Sequence, residues 1–223
     1  MTADRVFVVG EGNDPIFRVL ERPRLNEHLC AVGIPPGSRM IVYVGGFGPH
    51  KNLESLLAVF AKLCSRNEFK DVVLVMAGEY SKEVFFSAYE TLKNKVYELG
   101  VSNKVKFTGY LADEDLVILL NLATVLVLPS LIEGFGLPAI EAAACGCPVV
   151  ATTASPLPNL LGRGALYIDP TNPEELESVL GRILGSEDLR EQVRREGIAA
   201  ARELTWEAAA HQMISVFEQV VGR

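Results

Sequence analysis

The chain is short of the residues from which metal and redox centres are built, with three histidines and four cysteines among 223 residues. His28, His50 and His211 lie far apart and form no ligand or nucleophile motif; only His50 stands near the glycine-rich segments described below. Cys145 and Cys147 are separated by one residue, a spacing that fits neither a zinc knuckle nor a redox Cys-x-x-Cys pair. With Cys30 and Cys64 they read as reduced core thiols. No Gly-x-Ser-x-Gly elbow, His-Glu-x-x-His or phosphate-binding loop occurs, so hydrolase and ATPase chemistry has no support. Basic charge is scarce as well. The 21 Lys and Arg against 28 Asp and Glu leave a net charge of -7, which argues against general affinity for nucleic acid or anionic membrane, since both need a positive field.

Long apolar runs are nearly absent. The opening MTADRVFVVGEGNDP has an apolar run of four residues and no cleavage-like site, so it does not read as a secretory signal. Residues 116–132, LVILLNLATVLVLPSLI, carry no charge and reach the lower limit of about 17 residues for a spanning helix. Asn121, Thr124, Pro129 and Ser130 interrupt them, and a helix end followed by a buried strand is the better reading. No transmembrane segment is expected, and a cytoplasmic location follows.

What is present is a globular composition, 49% hydrophobic and 22% charged, without repeats or low-complexity tracts. Short β-branched runs at 40–44, 72–77, 105–108, 125–128, 149–151 and 166–168 alternate with helical patterns at about 52–63, 81–99, 114–122, 138–144 and 173–184. That alternation predicts an α/β fold, a Rossmann-like doubly wound parallel sheet with helices on both faces. Two more helices follow at 187–203 and 205–221, the second with an apolar stripe of Trp206, Met213, Val216, Phe217 and Val220 that should pack along something. Residues 6–9 read as a lone strand before a turn and a charged connector. The organisation expected is a linker from a preceding unit over 1–25, a ligand-binding domain over 26–203 and a C-terminal helix over 204–223.

Ligands of such sheets sit beyond the carboxyl ends of the strands. The segments there are GGFGPHK, AGEY, GYLADED, PSLIEGFGLP and TTASPLP. The most informative is EGFGLPAIE, which follows a buried strand and runs into a helix. Gly134 and Gly136 allow a sharp turn and close approach of a ligand, and Pro138 suits a first helical turn. Free amides and the helix dipole favour a phosphate or sugar oxygen there. Glu133 can accept from hydroxyls in the cleft and Glu141, one turn into the helix, from a vicinal diol. The bland alternative makes Glu133 a helix cap and Glu141 a solvated side chain. Asp113-Glu114-Asp115 matches a manganese-binding Asp-x-Asp string, but reads as a helix start with Asp113 as N-cap. Gly134-x-Gly136-x-x-Ala139 matches a dinucleotide fingerprint, yet begins five residues after Pro129 and lacks the acid about 20 residues on, so NAD is set aside.

At these residues the resemblance becomes specific. EGFGLPAIEAAACGCPVVAT resembles the signature of the retaining glycosyltransferases of family 4 ("group 1"), whose two glutamates seven residues apart match Glu133 and Glu141. YVGGFGPHKN, KVKFTGYLADEDL, VLVLPSLIEGFGLP, GALYIDPTNPEEL and LTWEAAA extend the similarity from about residue 40 to the end. The resemblance implies a GT-B enzyme of two Rossmann-like domains, with this chain the C-terminal, donor-binding one and VVGEGNDPIF similar to the crossing segment. An N-terminal acceptor-binding domain is then missing, leaving an inactive half whose absent partner could bring it to the inner face of the membrane.

The family pattern implies Lys51 and Glu133 as the catalytic pair. Lys51, after the Gly45-Gly46-Phe47 turn, would meet the donor diphosphate and stabilise the leaving group. Glu133 would contact hydroxyls of the transferred sugar, with Gly134 and the amides of Phe135, Gly136 and Leu137 nearby. Glu141 would bind the ribose, while Tyr110 and Leu111, with Gly109, would pack against the base. Removal of Glu133 should then spare a bare nucleoside diphosphate. The implied partner is a nucleotide diphosphate sugar, GDP-mannose first and a UDP-sugar next, with no cofactor and no metal. A non-catalytic nucleotide-sugar-binding module is the alternative. Two departures stand out: Gly46 and His50 occupy positions where the family often has arginine, and Asn159 replaces the glutamate of a Leu-Pro-Glu segment.

Overall fold

The structure, a computed structural model, describes residues 6–79 and 88–221. Strands made of aliphatic residues without polar alternation need cover on both faces, and they have it here. β1 (Arg39–Val44), β2 (Val72–Ala77), β3 (Val105–Gly109), β4 (Val125–Leu128), β5 (Val149–Thr152) and β6 (Leu166–Ile168) form one six-stranded sheet. Every residue of β2, β4 and β5 is buried, as expected of parallel strands between helical layers. All pairings are parallel in the order β3-β2-β1-β4-β5-β6, with Ile41 opposite both Leu74 and Val125. The chain winds outward from β1 to one edge, returns to β4 and winds to the other, which puts the topological switch point between β1 and β4.

The connecting helices are α1 (Glu27–Ala31), α2 (Leu53–Ser65), α3 (Tyr89–Glu98), α4 (Asp113–Leu122), α5 (Leu137–Ala144) and α6 (Leu157–Leu160). They are followed by α7 (Pro173–Gly185), α8 (Glu187–Ala201) and α9 (Trp206–Val221). Leu56, Leu57, Phe60 and Leu63 of α2 face Leu176, Val179, Leu180 and Ile183 of α7, both sets at helical spacing and buried. Small residues bring α8 close. A Cβ on Gly164 would lie 2.5 Å from the Cα of Gly197, so backbone packs on backbone at that point.

Several expectations are corrected. Residues 6–9 are not a strand, and the segment lies against the start of α9. Asn13 donates to Leu204 O at 2.8 Å and bridges Thr205, while Gly10 N donates to Gln212 Oε1 at 3.0 Å. Extended backbone and a strand share the same side-chain alternation, but only a strand needs a ladder. The N-cap of α4 is Ala112, without a side-chain bond, and Asp113 is the first helical residue. Of the helix expected over 81–99, α3 (Tyr89–Glu98, N-cap Ala88) is seen, and the expected positions 81–87 lie outside the described residues. Cys30 is exposed rather than in the core. Cys145 and Cys147 are buried free thiols, Cys145 pushed up to about 12 by burial. Trp206, Met213, Phe217 and Val220 on α9 are exposed rather than packed, and Ala209 is the buried residue of that helix. Among the described residues no helix is long and apolar enough to cross a membrane; residues 116–132 divide between α4 and β4.

Candidate functional site

The site is assembled by the loops that leave β1 and β4. Tyr43, fully buried one residue before the end of β1, donates its hydroxyl to Gly46 O at 2.6 Å and folds the glycine turn back on the strand. Burial, with the charge of Glu133 added, holds that hydroxyl far above the ordinary tyrosine range. Gly45 has φ +145°, and a Cβ there would stand 2.9 Å from Tyr43 Oη. Phe47 turns inward, 2% exposed, with its ring centroid 6.2 Å from Tyr43 and 6.0 Å from Phe107. Its side chain belongs to the core, so only its backbone can serve a ligand. Among the described residues no atom stands within 4 Å of a Cβ built on Gly46, the position where the family often carries arginine.

After a short 3-10 turn, Pro49–Lys51, the chain passes Asn52 in the left-handed region at φ 57°. Asn52 Nδ2 donates to Pro129 O at 3.1 Å and Pro170 O at 2.8 Å, tying the exits of β1, β4 and β6 together. Leu131 N donates to His50 O at 2.8 Å and Glu133 N to Ala154 O at 3.1 Å, which fixes the loop after β4 at two further points. The consequence is a meeting of residues 82 positions apart. Lys51 Nζ lies 3.0 Å from each carboxylate oxygen of Glu133, with side chains 19% and 12% exposed.

Glu133 therefore spends its carboxylate on Lys51 and does not cap α5. The N-cap of that helix is Gly136 at φ +85°, without a side-chain bond. A Cβ on Gly136 would crowd Leu157 at 2.8 Å, and Pro138 sits in the first turn. Ala139 N donates to Gly136 O at 2.9 Å and Pro138 has no N–H, so among the described residues the amides without a partner at this helix start are those of Phe135, Gly136 and Leu137. Glu141, a turn further on, is half-buried, and among the described residues no hydrogen bond reaches its carboxylate. Burial, then the charges of Asp113 and Asp14, raise it to about 7. Gly134 is exposed beside Glu133 and Phe135 packs partly on the core. At the exit of β3, Tyr110 is 69% exposed and Leu111 is buried. Tyr110 thus offers a free aromatic face, whereas Leu111 supports the loop from below.

Asp115 is already engaged. His28 Nδ1 lies 2.6 Å from Oδ2 and Asn26 bonds the other oxygen, and these contacts hold its carboxyl below the usual range. Among the described residues no three metal-ligating side chains converge. Two concavities of about 590 and 530 Å³ lie under residues 8–19. The first is lined by Phe17, Arg18 and Trp206, the second by Val8, Phe135 and Leu204. Neither contains Lys51, Glu133 or Glu141. Tyr43 and Asn52 escaped sequence reasoning. The left-handed asparagine directly after Lys51 was the signal available for one, and nothing local marks the other. Asn159 is exposed on α6 and lies in no contact that accounts for its replacing a glutamate.

A doubly wound sheet whose β1 and β4 loops bring Lys51 and Glu133 together at its switch point defines a Rossmann-like domain. The chain belongs to the glycosyl transferases group 1 family, matched over residues 27–200. It is 29% identical over 219 residues, 97% of its length, to the D-inositol 3-phosphate glycosyltransferase of Corynebacterium efficiens, of which it covers 51%. It is 34% identical over 183 residues, 81% of its length, to the mannosylfructose-phosphate synthase of Agrobacterium fabrum, of which it covers 40%. The chain thus spans about half the length of these curated relatives or less. HepE of Anabaena, solved with UDP and with UDP-glucose, superposes with a TM-score of 0.83 at 19% identity, over 98% of this chain and 58% of that one. That likeness shows the shared fold.

Proposed function

We propose that this chain is the donor-binding half of a retaining glycosyltransferase that moves a hexose, mannose in the first instance, from a nucleotide diphosphate sugar to a hydroxyl of a glycan or lipid-linked acceptor. The observation that carries the reading is the convergence of Lys51 and Glu133 at the β1/β4 switch point, beside the amides that open α5. Lys51 is the cation for the diphosphate and for the charge that develops on the leaving group. Glu133 accepts from sugar hydroxyls, Glu141 from the ribose, and Tyr110 presents its exposed ring to the base. Mannose is favoured over glucose by the likeness to the Agrobacterium mannosylfructose-phosphate synthase, and UDP is kept in view by the HepE complexes.

Residues 6–25 serve in this reading as the crossing segment from an acceptor-binding domain, and the exposed stripe of α9 is the surface such a domain would cover. Water exclusion and acceptor placement come with that domain, so the chain alone binds donor without transferring sugar. The working location is the cytoplasm, at the inner face of the membrane when the partner domain carries it there. Calorimetry with GDP, UDP, GDP-mannose and UDP-glucose tests the reading. Lys51→Ala should weaken the ligands of the preferred base, and Glu141→Ala should weaken diphosphate and nucleotide sugar alike by about 1.5–3 kcal/mol. A chelator should change neither. Absence of binding by the folded protein at millimolar ligand, or indifference to both substitutions, overturns the assignment; transfer by this chain alone overturns its status as a half-site.

A further inference from the structure

We propose that the Lys51–Glu133 ion pair makes this site select an intact nucleotide sugar over the bare nucleoside diphosphate that transfer leaves behind. The inference rests on the donor-site reading above and adds to it a means of discrimination. Lys51 holds both oxygens of Glu133 at 3.0 Å in a setting where Glu133 is 12% exposed. Any phosphate that draws on the ammonium competes with Glu133 for it, since the two contacts to Glu133 occupy two of its three donors. An isolated carboxylate left at such depth is costly, because it has lost both water and its counter-ion.

Among the described residues, two polar side chains of the site loops are already committed elsewhere. The Tyr43 hydroxyl, whose ionisation Glu133 influences, already donates to Gly46 O, and the Asn52 amide already donates to Pro129 and Pro170. Nor can the carboxylate swing into water with its loop, because Leu131 N and Glu133 N are tied to His50 O and Ala154 O. A bare diphosphate brings only anionic oxygens, so it strips Glu133 of its partner and adds repulsion. A nucleotide sugar brings hydroxyl donors that take the place of the ammonium. The pair therefore penalises the by-product and not the donor, and release after transfer is favoured by the same contact.

The test compares GDP with GDP-mannose, and UDP with UDP-glucose, by calorimetry on wild type, Glu133→Gln and Lys51→Ala, with thermal melts to confirm that each is folded. In Glu133→Gln the bare diphosphate should bind about tenfold tighter, near 1.4 kcal/mol, while the nucleotide sugar binds no tighter or more weakly, so that the preference for donor collapses. A merely structural role for the pair would lower melting temperature and weaken both ligands together, and that result refutes the proposal. Bare diphosphate binding Glu133→Gln no better than wild type refutes it too. If Lys51→Ala still weakens both ligands in that case, the donor-site reading stands without the discrimination. Should Glu133→Gln fail to fold, Glu133→Asp, whose shorter arm loosens the double contact, must still bind the bare diphosphate more tightly than wild type does.

Discussion

The Cβ that Gly78 lacks would stand 1.9 Å from the carbonyl oxygen of Gly45, an approach no side chain can survive. Gly45 N donates to Ala77 O and Gly78 N to Gly109 O, each at 3.0 Å, so the exits of β1, β2 and β3 are drawn together at this spot. The obstacle is backbone, which cannot swing aside as a side chain can. Gly78→Ala should therefore cost at least about 3 kcal/mol in urea unfolding. Gly46→Ala, three residues beyond Tyr43 and with no described atom within 4 Å of the added Cβ, should change stability by about 1 kcal/mol or less. Equal costs for the two would mean that the glycine turn is not held as described.

Asn52 combines a left-handed backbone with two hydrogen bonds to carbonyls, and substitutions separate the contributions. Asn52→Gly keeps the backbone conformation free of strain and loses only the bonds, an expected cost of about 1–3 kcal/mol. Asn52→Ala adds the left-handed penalty of roughly 1–2 kcal/mol. Chemical denaturation should rank wild type above Gly above Ala, and a reversed order of the two variants would show that the backbone conformation carries no strain.

The pH dependence follows from Glu141, raised from 4.5 to about 7 chiefly by burial. A carboxyl with a raised folded-state value binds its proton more tightly when folded, so it costs nothing below about pH 4.5 and its penalty is complete only above about 7. The stability of wild type relative to Glu141→Gln should fall as pH rises between those limits. Donor affinity should move oppositely, since the diol needs the ionised form. From pH 6 to pH 8 nucleotide affinity should rise by about tenfold in wild type and stay flat in Glu141→Gln. A flat wild-type profile would remove Glu141 from the ribose contact.

Most of the architecture was legible because its physics is local. Buried parallel strands announce themselves as unbroken aliphatic runs, and β1, β2, β4 and β5 lie within a residue of the runs that predicted them. The site loop was legible for a related reason: Gly134, Gly136 and Pro138 only make sense together where a strand turns into a helix. Long-range pairing was not legible. Asn52 acts on partners 77 and 118 residues away, and no spacing rule connects them. The same holds for Lys51 and Glu133, to which the family pattern assigned separate parts of one ligand without indicating that they touch. Residues 6–9 misled because four consecutive β-branched and aromatic residues look alike in a strand and in an arm laid along a helix.

The single tryptophan of the chain, Trp206, opens α9 at the point where the backbone of Gly12 packs so closely that a Cβ would reach Trp206 N at 1.9 Å. Its indole is 53% exposed and lines the concavity beneath residues 13–19. This chain thus carries one indole, excitable apart from its six tyrosines at the red edge of the absorption band, placed at the contact between residues 10–13 and α9. Its emission colour reports water reaching that contact, and no competing indole elsewhere dilutes the signal.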